Sequence, residues 1–313
     1  MALDVVLTLR IAYLAAATLI MVIFAIPPLG TRFLSYGARS SAAPAAKKEG
    51  NYDFPYKPLT ALLDWLAGVS VPHSWFASFY AISVGCSMYW AVEMVCKGPA
   101  FTAIASCAQM QSSSMTLSQV QVAWLVMFAQ GSRRLYECTS LSRPSASQMW
   151  VGHWALGVLF YVCTNIALWA QAIPTLQNHA FSLQDLKFAG PSLRSFVGIL
   201  IFMLASGLQH DCHAYLASLK SSPKDGTTTY KMPEHPAWNL SLTPHYFSEC
   251  LIYLALALVA APTGQLVNGT LLCALIFVVV NLGVTAHGTE KWYTQKFGTQ
   301  QTQGRAKMIP LVY

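Results

Sequence analysis

Seven apolar runs recur along the 313 residues, at positions 5–26, 72–95, 120–131, 150–173, 196–217, 246–261 and 266–286. Most are long enough, as helix, to cross about 30 Å of hydrocarbon. A bilayer offers no water to backbone N–H and C=O groups, so a chain written this way is confined to packed helices or a closed barrel. Runs of this length, rather than alternating ten-residue segments, select helices. The sequence therefore predicts an all-α integral membrane protein of about seven transmembrane helices. The third run is the shortest, because residues 112–121 ahead of it are polar. Composition agrees: 55% of residues are hydrophobic and 10% charged, against about 25% charged in soluble domains.

The first run has Asp4 where a cleavable leader would carry basic residues, so an uncleaved first span is expected, ended by Pro27-Pro28. Placing successive loops on alternate sides puts fifteen of the nineteen lysines and arginines on one side. Only Arg10, Lys97, Lys187 and Arg194 fall on the other. Positive-inside reasoning makes the rich side cytosolic, with the N-terminus lumenal and the C-terminus cytosolic. The formal net charge of +7 thus reports topology and contact with anionic lipid, and does not indicate nucleic acid.

The eight cysteines include no CxxC pair and read as packed, reduced thiols. Of two glycosylation sequons, the one at Asn239 falls on the cytosolic side, and Asn268 falls in a lumenal turn close to the membrane. Neither a GxGxxG nor a GxxxxGK[ST] loop is present, which leaves out the soluble nucleotide folds. Residues 1–71 read as a first span followed by a flexible cytosolic loop. Residues 72–313 read as one membrane domain.

Polar groups gather where the runs end. In LQHDCHAYLASLK, residues 208–220, Gln209, His213, Leu216 and Lys220 share one helical face, while Asp211 and Tyr215 lie on another. His210 and His213 lack a co-ligand at suitable spacing, so no metal site is assigned. An ordinary polar helix end and a pocket for an anionic ligand both remain open. Arg133 and Arg134 suit phosphate, because a guanidinium offers a forked pair of donors. Arg134 and Glu137, three apart, also suit a simple ion pair. Glu249 near the start of an apolar run needs a partner or a task.

In order along the chain, these groups form motifs. Trp75, Phe76, Ser78, Phe79 and Tyr80 come first, followed by Gln130, Gly131, Arg133, Arg134, Leu135 and Glu137. Gln209, Cys212, His213, Leu216, Leu219 and Lys220 follow, then Tyr230 and Pro233, then Pro244, His245, Tyr246 and Glu249. Thr289, Glu290, Trp292, Tyr293, Arg305, Pro310 and Leu311 close the series. The series resembles the steroid 5α-reductase superfamily, and within it the polyprenol reductase branch. Ser78 and Glu290 stand where that pattern has histidines, and Glu290 adds a negative charge where the pattern implies an anionic cofactor. Gly131 stands where the steroid-reducing branches carry tyrosine.

The resemblance implies an endoplasmic reticulum enzyme that uses NADPH to saturate the α-isoprene double bond of long polyprenoids, for dolichol synthesis and N-glycosylation. It implies that residues 72–313 are the membrane catalytic domain, with the reductase region at about 120–313, and that cofactor contacts come from Arg134, Gln209, His213, Lys220, Tyr230, His245 and Tyr293. The catalytic candidates are Tyr80 and Glu249. The expected partners are a polyprenoid substrate entering from the bilayer and membrane lipids, with no metal, nucleic acid or obligate protein partner. A steroid or enoyl reductase of the same superfamily, an isoprenylcysteine-type methyltransferase using S-adenosylmethionine, and a non-catalytic seven-span receptor or transporter are the alternatives.

Overall fold

A computed structural model describes residues 4–34, 54–109, 113–141, 147–187, 190–219 and 230–313. Among them the helices are α1 (Val5–Ala25), α2 (Pro27–Phe33), α3 (Lys57–Gly68), α4 (Phe76–Cys96), α5 (Pro99–Ser106) and α6 (Leu117–Ser140). They continue as α7 (Val151–Ala170), α8 (Ile173–Asn178), α9 (Leu193–Leu219), α10 (Pro244–Val259) and α11 (Gly269–Phe297). Strands β1 (Ser70–Pro72) and β2 (Gln148–Trp150) pair antiparallel, Val71 opposite Met149.

Local chemistry sets the helix ends. Asp4 caps α1 by accepting from the Leu7 N–H at 3.1 Å. Proline at the first turn of α2 then breaks the run, since it has no N–H to give. Thr116 and Gln119 form a reciprocal capping box at the start of α6, the Thr116 N–H donating to Gln119 Oε1 at 2.8 Å. Asn268 caps α11, its Oδ1 accepting from the Thr270 and Leu271 N–H groups. That side chain is fully buried, so the folded protein has no room for a glycan on the second sequon. Gly298, at φ 89°, ends α11 in a conformation that costs other residues strain.

Each of the seven expected segments is helical, as α1, α4, α6, α7, α9, α10 and α11. Five are long and apolar enough to cross a membrane: Val5–Ala25, His73–Cys96, Val151–Ala170, Leu193–Leu219 and Gly269–Phe297. The other two fall short for identifiable reasons. α6 carries Arg133, Arg134 and Glu137, and α10 has 16 residues. The fold is that of an all-α membrane protein.

The core runs through the bundle. Phe160 of α7 stacks on Phe277 of α11 at 5.0 Å and tilts against Tyr253 of α10 at 5.4 Å. α1 joins the same core through Val6, Leu9, Tyr13, Ala17 and Ile20. At Gly198 a Cβ would sit 2.7 Å from Val259, so glycine is what lets α9 close on α10. The stretch 30–71, expected to be a flexible loop, holds parts of α2 and all of α3 at its edges. Its centre, 35–53, lies outside the described residues, as do 220–229. The eight cysteines form no disulfide.

Candidate functional site

The C-terminal turns of α6 and α9, the first turns of α4, α7 and α10 and the middle of α11 converge on a cavity of about 480 Å³. Its apolar wall comes largely from Phe76 and Phe79 of α4, Leu156 and Phe160 of α7, and Phe277, Val278 and Leu282 of α11. Gly157 keeps this space open. A Cβ there would lie 2.7 Å from the Phe79 ring.

The polar wall is a network centred on Glu137. Its Oε1 takes Arg133 Nη1 and, at 2.8 Å, His210 Nδ1, and its Oε2 takes Arg134 Nη1 and, at 2.8 Å, His213 Nδ1. The Glu137 side chain is 2% exposed, so its charge depends on those two guanidinium groups. The arginines that in sequence suit phosphate are thus already paired within α6. His213 Nδ1 also lies 2.7 Å from Arg134 Nη1. It can donate to Glu137 or accept from Arg134, and the two roles require different tautomers.

Arg134 also reaches α4. Its Nε and Nη2 donate to the Tyr80 hydroxyl at 3.1 and 2.9 Å. The phenol oxygen therefore has both acceptor positions taken, and its own O–H is the group left to donate. Glu249 of α10 is held differently, with no cation among its hydrogen-bond partners in the described residues. Its Oε2 receives the side-chain amides of Gln130, at 3.3 Å, and Gln209. Gln209 also donates to the His245 carbonyl at 3.2 Å, and its Oε1 accepts from Gln130 at 3.2 Å. His245 packs 5.6 Å from the His213 ring, and its Nδ1 is buried with no hydrogen-bond partner among the described residues.

Six of the nine catalytic and cofactor-contact candidates line this cavity: Tyr80, Arg134, Gln209, His213, His245 and Glu249. Two others lie off its wall. Tyr230 is 36% exposed and packs edge-on to Trp292 at 5.2 Å. Tyr293 is buried between Trp292 and Phe297. Lys220 lies outside the described residues. The other face of α9 is occupied as well: Asp211 pairs with His235 at 2.9 Å, and the Tyr215 hydroxyl accepts the Glu234 N–H.

The two departures from the motif pattern have partners of their own. Ser78 donates to the Trp75 carbonyl at 2.6 Å and accepts from Trp154 Nε1 at 3.0 Å. Glu290 faces Lys307 at 3.3 Å and His287 at 3.5 Å, away from the cavity. Sequence reasoning did not single out Tyr161, Tyr253 and Asn281, which also line the cavity. The available signal was a hydrogen-bonding side chain inside an apolar run.

A membrane helix bundle with a deep cavity, apolar on one wall and hydrogen-bonded on the other, is the class that fold and site define. Sequence comparison then places it: the chain belongs to the 3-oxo-5-alpha-steroid 4-dehydrogenase family, whose profile matches residues 147–313. It is 29% identical to Polyprenal reductase 2 of Oryza sativa subsp. indica, over 61% of this chain and 58% of that protein. It is 26% identical to Polyprenal reductase of Xenopus laevis, over 62% and 59%, and 27% identical to Polyprenal reductase of Caenorhabditis elegans, over 78% and 80%. The chain thus spans less than two thirds of the length of the rice and frog relatives.

Proposed function

We propose that the protein reduces the α-isoprene double bond of long-chain polyprenals with NADPH, giving dolichals, in the endoplasmic reticulum membrane, for dolichol synthesis and N-glycosylation. The observation that carries this reading is the Tyr80 O–H, left to donate into a cavity with one apolar and one polar wall. The names of the relatives support the substrate class. The cavity volume lies within the usual range for small-molecule sites.

The donor set fits a nicotinamide cofactor. The buried His245 Nδ1 has no partner, and Arg134, Gln209, His213 and Glu249 line the same wall. These residues would hold the nicotinamide end, with Tyr230 and Tyr293 further out as proposed contacts and Lys220, outside the described residues, proposed as another. When bound, NADPH supplies a hydride.

The chain's own part is electrostatic. As the β carbon of the conjugated double bond is attacked, negative charge passes through the alkene onto the aldehyde oxygen, and a proton from water then completes the reduction at the α carbon. Tyr80 donates its O–H to that oxygen, and Arg134 fixes the phenol through two hydrogen bonds. Gln130 and Gln209 hold one oxygen of Glu249, which leaves the other for a bound group. An allylic alcohol has no carbonyl to receive the charge, so the aldehyde is the substrate and other enzymes interconvert alcohols and aldehydes.

We also infer seven spans, with α6 and α10 completing the five, the N-terminus lumenal and the cavity's polar end cytosolic. The fifteen-to-four split of basic residues supports this orientation. Reporter fusions after Tyr313 and within 220–244 are expected to read cytosolic, and one within 174–193 lumenal. The catalytic reading is tested with purified protein, NADPH and a short polyprenal or the matching polyprenol. The aldehyde is consumed and the alcohol is not. Conversion of pure polyprenol to dolichol without a dehydrogenase would refute it.

A further inference from the structure

One polar side chain on the apolar wall has no role in the network around Glu137. Asn281 lies inside α11, whose membrane-spanning window has a mean hydropathy of 2.2. On the cavity face of that helix it follows Phe277 and Val278 by one turn and precedes Leu282. Its backbone carbonyl accepts from Thr285 Oγ1 at 2.8 Å, but its side-chain amide takes no hydrogen bond among the described residues.

Two general considerations weigh against such a residue. Asparagine is a poor helix former. An amide that loses water to a hydrocarbon chain without a new partner is also penalised. The substrate proposed above would press isoprene units against this wall, since the opposite wall is polar. Only one atom in that substrate can hydrogen-bond, its aldehyde oxygen.

We infer that Asn281 Nδ2 donates to the substrate's carbonyl oxygen, as a second donor beside Tyr80. This rests on the reading above. The two donors come from different helices, α11 and α4, so the oxygen is held at the meeting of the apolar and polar walls. The isoprene chain is thereby seated with its double bond toward the residues that would hold the nicotinamide. Asn281 thus selects for isoprenoids that bear an oxygen on the first unit and contributes to holding the charge that develops there.

The test separates binding from turnover. Full-length wild-type protein and Asn281→Leu, an apolar replacement of similar size, are titrated with a short polyprenal and with the same hydrocarbon lacking oxygen. Wild type is expected to prefer the aldehyde, and the variant to lose about threefold to tenfold of that preference, the worth of one neutral hydrogen bond. Hydrocarbon affinity and thermal midpoint stay unchanged. With NADPH, kcat for the aldehyde falls about a hundredfold, while KM for NADPH holds.

An undiminished aldehyde preference in the variant overturns the inference, even if wild type turns polyprenal over. A raised KM for NADPH with the preference intact also overturns it, because the amide would then serve the cofactor. A wild type that shows the preference but no turnover would sink the reductase reading and leave the Asn281 contact standing. If Asn281→Leu does not fold, Asn281→Ala is held to the same outcomes.

Discussion

Replacing Tyr80 with phenylalanine removes one oxygen, and the structure predicts two separable losses. The phenol accepts from Arg134 Nε and Nη2, which in the proposed reaction leaves its O–H for the substrate. Without the hydroxyl the developing oxyanion loses a donor, typically worth about 2.7–4 kcal/mol. At 1.36 kcal/mol per decade that is on the order of a hundredfold to a thousandfold in kcat. The second loss is structural. Arg134 keeps Glu137 and His213, so the guanidinium stays in place, but two of its N–H groups are unpaired. Leaving a buried donor unpaired costs about 1–3 kcal/mol. These N–H groups border the cavity, where water can reach them, so the lower end applies. NADPH oxidation at saturating polyprenal should therefore show the full drop in kcat, with KM for NADPH nearly constant and a modest fall in thermal midpoint. A variant that is less stable but keeps kcat within about fivefold of wild type would show that the phenol only braces Arg134, and the oxyanion role would be wrong.

Glu137→Gln keeps the shape of the network and removes the charge between two guanidinium groups. Breaking a buried pair costs about 3–5 kcal/mol, and a lowered thermal midpoint would show it. Glu290→His breaks a partly exposed pair with Lys307, so stability changes by about 0–1 kcal/mol and KM for NADPH is unchanged. A tighter cofactor in that variant would place Glu290 at the cavity after all. Gly157→Leu drives a side chain toward Phe79 and into the cavity, and is expected to abolish polyprenal turnover in a folded protein. Gly198→Leu, outside the cavity, is expected instead to lose helix packing by about 1–3 kcal/mol, read by unfolding.

What could be read from the sequence was what depends on short spacing. Apolar length located seven helices, and the i, i+4 relation placed Gln209 and His213 on one face. The i, i+3 relation paired Arg134 with Glu137. Crossings between distant helices were out of reach. Tyr80 meets Arg134 across 54 positions, and Gln209 meets Glu249 across 40. The convergence of His210 and His213 on Glu137 also needs α6 beside α9. Tyr230 and Tyr293 were drawn in by motif position alone, and the rings they pack on hold them off the cavity wall. The helix α3 was missed because its sequence, KPLTALLDWLAG, sits inside a stretch otherwise rich in small residues.

The pairing inside α6 also bears on how the protein is made. Helices enter the bilayer in chain order, so on the seven-span reading proposed above α6 would arrive before α9 and α10 exist to supply His213, Gln209 and Glu249. A lone arginine at the centre of an inserting helix is penalised by about 2.5–3.5 kcal/mol. Because Arg133 and Arg134 both reach Glu137 on the same helix, three charges enter the translocon as a partly neutralised cluster. That leaves roughly one net positive charge, which, in the proposed orientation, a helix end near the cytosolic face would carry until the later helices fold around it.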